Sequence, residues 1–342
     1  MRYLLSSAVI LASSLSALPT LDARLDRLEE QVNEISAQTV YGNYGAKTAS
    51  AIPRLNTYGG FLSIEGLCLQ FFEGGSDFVY RNTTPISTSF NMGRTKTFSF
   101  DWRFAFRVAG GYQFKCPDWT LWAEYLRFTT EQSKKISPPA GGSLSSNFVF
   151  DTNPLTSRLE MEINYNTLDL NLGRPYLLRN NFSLHPFVGV RGAVIHQHDE
   201  ITETFVSSTL FHHETNRFYG AGLRAGSQAR WLLGSGWSLF GSLAGSIVYG
   251  TFDNRFTQNQ SIKLQSDTSG LSPNLTSDAG LSWEKALASA RTRISLSLGY
   301  EFDYWWRQNQ TIHNFTDATV ASMRWSEDLG LHGVKLNCGF DF

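Results

Sequence analysis

The chain has 342 residues, with 29 Lys plus Arg against 30 Asp plus Glu and a formal net charge of -1, so there is no global electrostatic case for nucleic acid or an anionic surface. Charged residues make up 17% and aromatics 14%, with 29 Gly, 25 Phe, 13 Tyr and 9 Trp, a mix poor in charge beside the usual quarter. Beyond the N-terminus no run approaches the ~18 to 20 apolar residues of a spanning helix, so any membrane span has to be β.

Residues 1–17 read as a signal peptide. Arg2 gives the positive n-region, Leu4 to Leu18 the apolar core, and Ser14, Ser16 and Ala17 the small residues of a cleavage site. Residues 18–56 follow as a short helix and linker. Leu21, Leu25, Leu28, Val32 and Ile35 are spaced four, three, four and three apart, which is an a/d heptad seam. Two heptads are too short to hold a coiled coil unaided, which leaves two readings: an amphipathic helix on the rim or in the periplasm, or a small coiled coil joining protomers of a homo-oligomer.

From residue 57 to 342 the sequence predicts an all-β, transmembrane antiparallel barrel with an even number of strands, ten to fourteen. The signal is period-two alternation over runs longer than ordinary strands. Phe98, Phe100, Trp102, Phe104, Phe106, Val108, Gly110, Tyr112 and Phe114 alternate with Ser99, Asp101, Arg103, Ala105, Arg107, Ala109, Gly111 and Gln113. The same pattern runs over Phe182 to Val194, over Tyr219 to Leu233, over Trp237 to Tyr249, and over Ile294 to Tyr304. Turn signals at Cys116-Pro117-Asp118, Asn180-Asn181 and Gly234-Ser235-Gly236 are short, whereas roughly 73–96, 132–157, 200–214 and 255–284 read as long polar loops. Short turns on one side and long loops on the other is the arrangement of a bacterial outer-membrane barrel.

The ten strands so read begin near Thr57 and then cover about 97–115, 118–131, 158–177, 182–199, 216–233, 237–254, 286–306, 312–326 and 330–342. Phe78 to Asn82 and Ser143 to Phe150 are places where loops would hide further hairpins. Val334, Leu336, Cys338, Phe340 and Phe342 close the chain as a strand with one apolar face. Phe340 and Phe342 have the form of the terminal signal read by the barrel assembly machinery.

Function is expected on the polar face. Arg103, Arg107, Arg191, Arg224, Arg230, Arg291, Arg293 and Lys335 share its parity with Asp101, Glu301, Asp303 and Asp341. That predicts a net-basic, weakly anion-selective pore lining that passes small hydrophilic solutes. The alternative is a structural or adhesive barrel without an open pore, its arginines and carboxylates paired across the interior. No nucleophile elbow, phosphate loop or zinc helix occurs, so no enzyme and no cofactor is expected. His196, His198, Asp199, His212 and His213 cluster near one external loop, and loop histidines without Cys or a fixed helix do not make a metal site by sequence alone. Three cysteines are an odd number in an oxidising compartment. Pairing Tyr58 with Phe342 would set Cys68 near His332 and keep it from Cys338, which leaves Cys116, in a short turn, as the accessible thiol for an intermolecular disulfide.

The runs Leu172-Gly173-Arg174-Pro175, Leu184-His185-Pro186-Phe187-Val188-Gly189-Val190-Arg191-Gly192, Phe218-Tyr219-Gly220-Ala221-Gly222-Leu223-Arg224-Ala225-Gly226 and Val248-Tyr249-Gly250 resemble the MOMP-like pore-forming outer-membrane proteins of Legionella and environmental chlamydiae. The resemblance covers residues 57–342 and is closest over 160–255. It implies a major porin of the bacterial outer membrane embedded in its lipid, oligomers, and disulfide links to other envelope proteins, with no catalytic residue to carry over.

Overall fold

The computed structural model describes residues 59–342 apart from 76, 84–92, 116–117, 147–153, 180, 260–261, 288–291 and 318. The expectations for the signal peptide, for the heptad residues Leu21 to Ile35, for Cys116 and for Arg291 lie outside the described residues.

The described residues form fourteen strands: β1 (Gly59–Glu73), β2 (Asp77–Asn82), β3 (Gly93–Thr97), β4 (Arg103–Gln113), β5 (Thr120–Ile136), β6 (Ser143–Ser146), β7 (Thr156–Gly173), β8 (Tyr176–Arg179), β9 (Phe182–Thr204), β10 (Thr209–Gly234), β11 (Trp237–Gln258), β12 (Ile262–Ala286), β13 (Arg293–Asp317) and β14 (Thr319–Asp341). Ten of them make the wall, in the order β10-β11-β12-β13-β14-β1-β4-β5-β7-β9, and β9 pairs back onto β10 to close the cylinder. All wall pairings are antiparallel. Closure removes every free edge, which is the one way a sheet satisfies its backbone within lipid.

Alternation decides which face is which. Leu62, Ile64, Phe104, Leu168, Val188, Leu223, Ile247, Leu298 and Leu336 are exposed on the outside, while the residues between them are buried within. Exposed Trp231 and Trp237 mark one border of this apolar band, and exposed Tyr219 and Tyr249 the other. The twelve steps from Tyr219 to Trp231 span about 40 Å along a strand, or about 28 Å at a tilt of about 45°, close to the ~25 Å apolar band of outer-membrane barrels. Below the band β10 and β11 turn through Gly234, Ser235 and Gly236, all at positive φ (108°, 53° and 83°), which is the conformation that favours glycine on either side of the serine. Above it the hairpins continue as sheet.

Several expectations shift. Ten wall strands are present, but residues 255–284, read as a loop, hold most of β12. Its lipid-side residues include Pro273, Ser277 and Ala279, which dilute the greasy face that reveals a strand. Conversely, the segment expected as one strand over 312–326 is shared by a long hairpin: β13 runs on to Asp317, and β14 starts at Thr319 and continues through the expected gap to Asp341. Phe98 and Phe100 keep the parity of the lipid face yet precede β4, and both are buried, stacked edge to face and packed on Phe71. The two suspected hairpin segments pair with each other: β2 joins β6 and β3 in a small separate sheet. Its Val79 and Leu144 belong to the same buried cluster as Phe71, Phe98 and Phe100.

The seam between β1 and β14 pairs Phe61 with Asp341 and Cys68 with Val334, two residues from the register expected for Cys68. Parity is preserved, Cys338 lies opposite Ile64, and both thiols are free and exposed on the outer face.

Candidate functional site

Inside the barrel the side chains form successive layers. Nearest the short turns, Arg230 reaches Ser238 (2.7 Å), Ser282 (3.3 Å) and Glu284, and Arg293 lies 3.7 Å from Glu284. Phe61, Trp122 and Phe187 form a small buried apolar cluster, with the Arg224 guanidinium 5.8 Å above the Phe187 ring.

The middle layer is ionic. The Arg107 guanidinium on β4 donates to Glu65 of β1 at 2.6 Å and to both carboxylate oxygens of Glu301 on β13. Glu65 also accepts from Asn337 at 2.8 Å, and Lys335 meets Asp278 and lies 3.6 Å from Glu301. Across the lumen, Arg191 on β9 forks onto Asp169 of β7 at 2.7 and 2.6 Å, with Arg224 of β10 3.6 Å from the same carboxylate. Arg191 further reaches Asn274, which bonds Asp303. Four cations, Arg107, Arg191, Arg224 and Lys335, thus share a layer with six carboxylates, Glu65, Glu124, Asp169, Asp278, Glu301 and Asp303. Alternation explains the gathering: each residue sits on the inner parity of its own strand, and closure points all of them at one axis. The space left among them is a cavity of about 30 Å³, room for one or two waters.

Above this layer the lumen is packed with rings. Phe71, Phe128, Tyr165, Phe218, Phe252 and Trp305 are all fully buried. Tyr165 joins the two layers: its hydroxyl donates to Asp303 (2.8 Å) and accepts from the Trp305 indole N–H (2.9 Å). Beyond the apolar band, Glu73, Gln197, Asn309, Asp199 and Glu214 form a polar top, with Gln197 donating to Glu73 at 2.7 Å and the Ile312 N–H donating to Glu214 at 2.7 Å. Burial, and then the neighbouring Asp199 charge, push the Glu214 carboxyl up to about 8, and burial takes Asp199 up to about 7.

Of the residues expected to line a pore, Arg107, Arg191, Arg224, Arg230, Arg293, Glu301, Asp303 and Lys335 point into the lumen, and most are held by partners. Arg103 departs from the expectation: it is exposed at the end of β4 and donates to the Glu131 carbonyl at 3.2 Å, because its strand begins at the rim. The expected net-basic lining is also corrected. Glu65, Glu124, Asp169 and Asp278 had equal claim by parity, and with them carboxylates outnumber cations in the middle layer. Phe340 and Phe342 are exposed at the chain's end, where the Phe342 N–H donates to the Gly60 carbonyl at 3.1 Å. His196 and His198 stand on β9 as the strand over 182–199 predicts, while His212 and His213, expected in a loop, stand on β10 paired with it. His198 and Glu200 of β9 and His213 of β10 share the outer face, and His213 lies directly opposite Glu200.

Among solved structures, the outer membrane protease OmpT of Escherichia coli is 10% identical with a TM-score of 0.39, covering 83% of this chain and 96% of its own. The translocator domain of the autotransporter NalP of Neisseria meningitidis is 11% identical with a TM-score of 0.36, covering 94% and 98%. The toluene transporter TodX of P. putida is 8% identical with a TM-score of 0.29, covering 84% and 89%. Likenesses this remote carry no argument about activity. None of the curated proteins matches the chain. Residues 57–342 match the family described as Legionella pneumophila major outer membrane protein precursor, and with its closed ten-strand barrel this chain belongs to that family of bacterial outer-membrane proteins.

Proposed function

We propose that the protein is a pore-forming outer-membrane barrel of narrow gauge, whose pathway for small ions and hydrophilic solutes is the ionic middle layer, closed in the conformation described. The observation that supports this reading is the layer itself. Burying ionised groups costs several kcal/mol per ion, and apolar side chains of similar volume often stabilise a core as well or better. The upper half of this same lumen is filled with rings, so a barrel built only to be solid had that option at the middle as well. A ring of charges keeps polar contacts along the axis for ions to exchange. Passage requires Trp305 and the Phe98 to Phe100 segment to leave the upper lumen. With six carboxylates to four cations, the selectivity expected is weakly cationic, in place of the anion preference that the arginines alone suggested.

The cavity of about 30 Å³ favours a second reading, a structural or adhesive barrel that works through its extracellular sheet. Planar bilayers separate the two. Small conductance steps, with a reversal potential under a KCl gradient that indicates mild cation preference, support the pore; a silent membrane with folded protein present supports the second reading. No catalytic role is proposed. Phe342 is proposed as the terminal element for the assembly machinery, and deleting it should lower the folded yield in outer-membrane fractions.

A further inference from the structure

We propose that the outer face of the β9–β10 hairpin, above the lipid band, carries a binding site for a divalent transition-metal cation of the zinc class, with His198, Glu200 and His213 as its protein ligands. On paired antiparallel strands, positions i and i+2 of one strand and their partners on the next form a block on a single face. Here that block is His198, Glu200, His213 and Thr215, since Glu200 pairs with His213 and His198 with Thr215.

Two of the three ligand separations match those around a bound metal. His198 Nε2 and His213 Nδ1 each lie 3.3 Å from the same oxygen, Glu200 Oε1, and the three ligand atoms all fall within 4.8 Å of one another. A tetrahedral ion with bonds of about 2.0–2.1 Å holds its ligand atoms about 3.3–3.4 Å apart. Two imidazoles with one carboxylate is a set that zinc accepts, with the fourth position left to water.

A second observation concerns orientation. His198 Nδ1 is 3.1 Å from the Thr215 hydroxyl, a contact that fixes the ring and leaves Nε2 as the ligating atom. Such outer partners accompany metal-bound histidines and set their tautomer. Two neighbouring cations are engaged elsewhere: Arg255 forks onto Asp253 at 3.1 and 2.9 Å, and Arg158 is held by Glu160. Glu162, opposite His198 on β7, adds negative charge to the same face. Access is open, for Glu200 and His213 also border a rim cavity of about 550 Å³.

Bound there, the ion would pin β9 to β10 outside the membrane, where no lipid supports the sheet. The site needs nothing from the lumen, so it stands whether or not the barrel conducts. The test is a zinc titration, by calorimetry and by competition with a chromophoric chelator, of the full-length protein isolated without a histidine tag and kept folded in detergent. One equivalent of Zn²⁺ is expected. Affinity should fall at least tenfold in His213→Ala and in Glu200→Gln, and about tenfold in Thr215→Val through loss of the orienting contact, with unchanged far-UV dichroism in each. His213 is about half exposed, so these variants are expected to fold. X-ray absorption at the zinc edge should show two imidazoles. No zinc bound by the wild type, or equal affinity in wild type and His213→Ala, would overturn the assignment, as would an edge spectrum without histidine scattering.

Discussion

The middle and the upper lumen occupy one cylinder and are filled by opposite chemistries. Below Trp305, guanidinium groups fork onto carboxylates; above it, rings of Phe71, Phe128, Phe218 and Phe252 close the space by contact alone. The difference is in what a defect costs. A ring lost from the upper layer leaves a void that neighbours can partly fill, whereas a cation lost from the middle strands charges that cannot leave. The middle layer is therefore the more specific of the two and the less forgiving.

That contrast can be broken most severely at Arg107. Arg107→Ala leaves Glu65 and Glu301 buried without their partner, and a loss of about 3–5 kcal/mol is expected, read from urea unfolding midpoints of the barrel refolded in liposomes. A loss below about 1 kcal/mol would show that the layer is wetter than its burial indicates. On the outer wall, Leu243, exposed midway between Trp237 and Tyr249 on β11, sits near the centre of the lipid band; Leu243→Arg sets the same charge against lipid there, and about 2–4 kcal/mol should disappear from the same measurement.

The joint between the layers gives a finer probe. Tyr165→Phe keeps the ring and removes the hydroxyl that Asp303 and Trp305 share, so the expected loss is about 1–3 kcal/mol, accompanied by a shift in Trp305 fluorescence. If fluorescence and stability both stay as in the wild type, the two layers are independent. Least of all should happen at Arg103, which has the parity of Arg107 but stands at the rim. Arg103→Phe is expected to change stability by no more than about 0.5 kcal/mol, and a loss comparable to that of Arg107→Ala would mean that parity alone, without depth, decides the cost.

Much of the wall was legible because a lipid face and a wet face repel each other into period two. In β10 the apolar Tyr219, Leu223 and Trp231 alternate with glycines and arginines, and in β11 Leu239, Leu243 and Ile247 alternate with Ser and Ala. β12 lacked that contrast, its outward side carrying Pro273 and Ser277. β1 lacked it for the opposite reason, since Leu62 and Ile64 face lipid while Leu67 and Leu69 face the packed lumen. The interior charges were half legible. Parity correctly turned Arg107, Arg191 and Arg224 inward, but Glu65, Glu124 and Asp169 lie on strands whose inner face is mostly apolar, and nothing in one strand says what its neighbour across the axis will bring. His212 and His213 were placed in a loop because long polar stretches were read as irregular; a hairpin that outlasts the membrane needs no greasy face and so leaves no alternation to find.

The seam joining first and last wall strands has a consequence for time as well as for shape. The hydrogen bond between Asn337 and Glu65 spans 272 residues of chain, and Arg107 with Glu301 spans 194. Contacts so distant in sequence are slow to form, because the loop-closure entropy is lost before any of them rewards it. The middle layer straddles this seam, so it should be absent from the transition state and assemble as the cylinder shuts. Substitutions within it would then leave the folding rate almost unchanged and accelerate unfolding, making these ion pairs the determinant of how long a finished barrel survives.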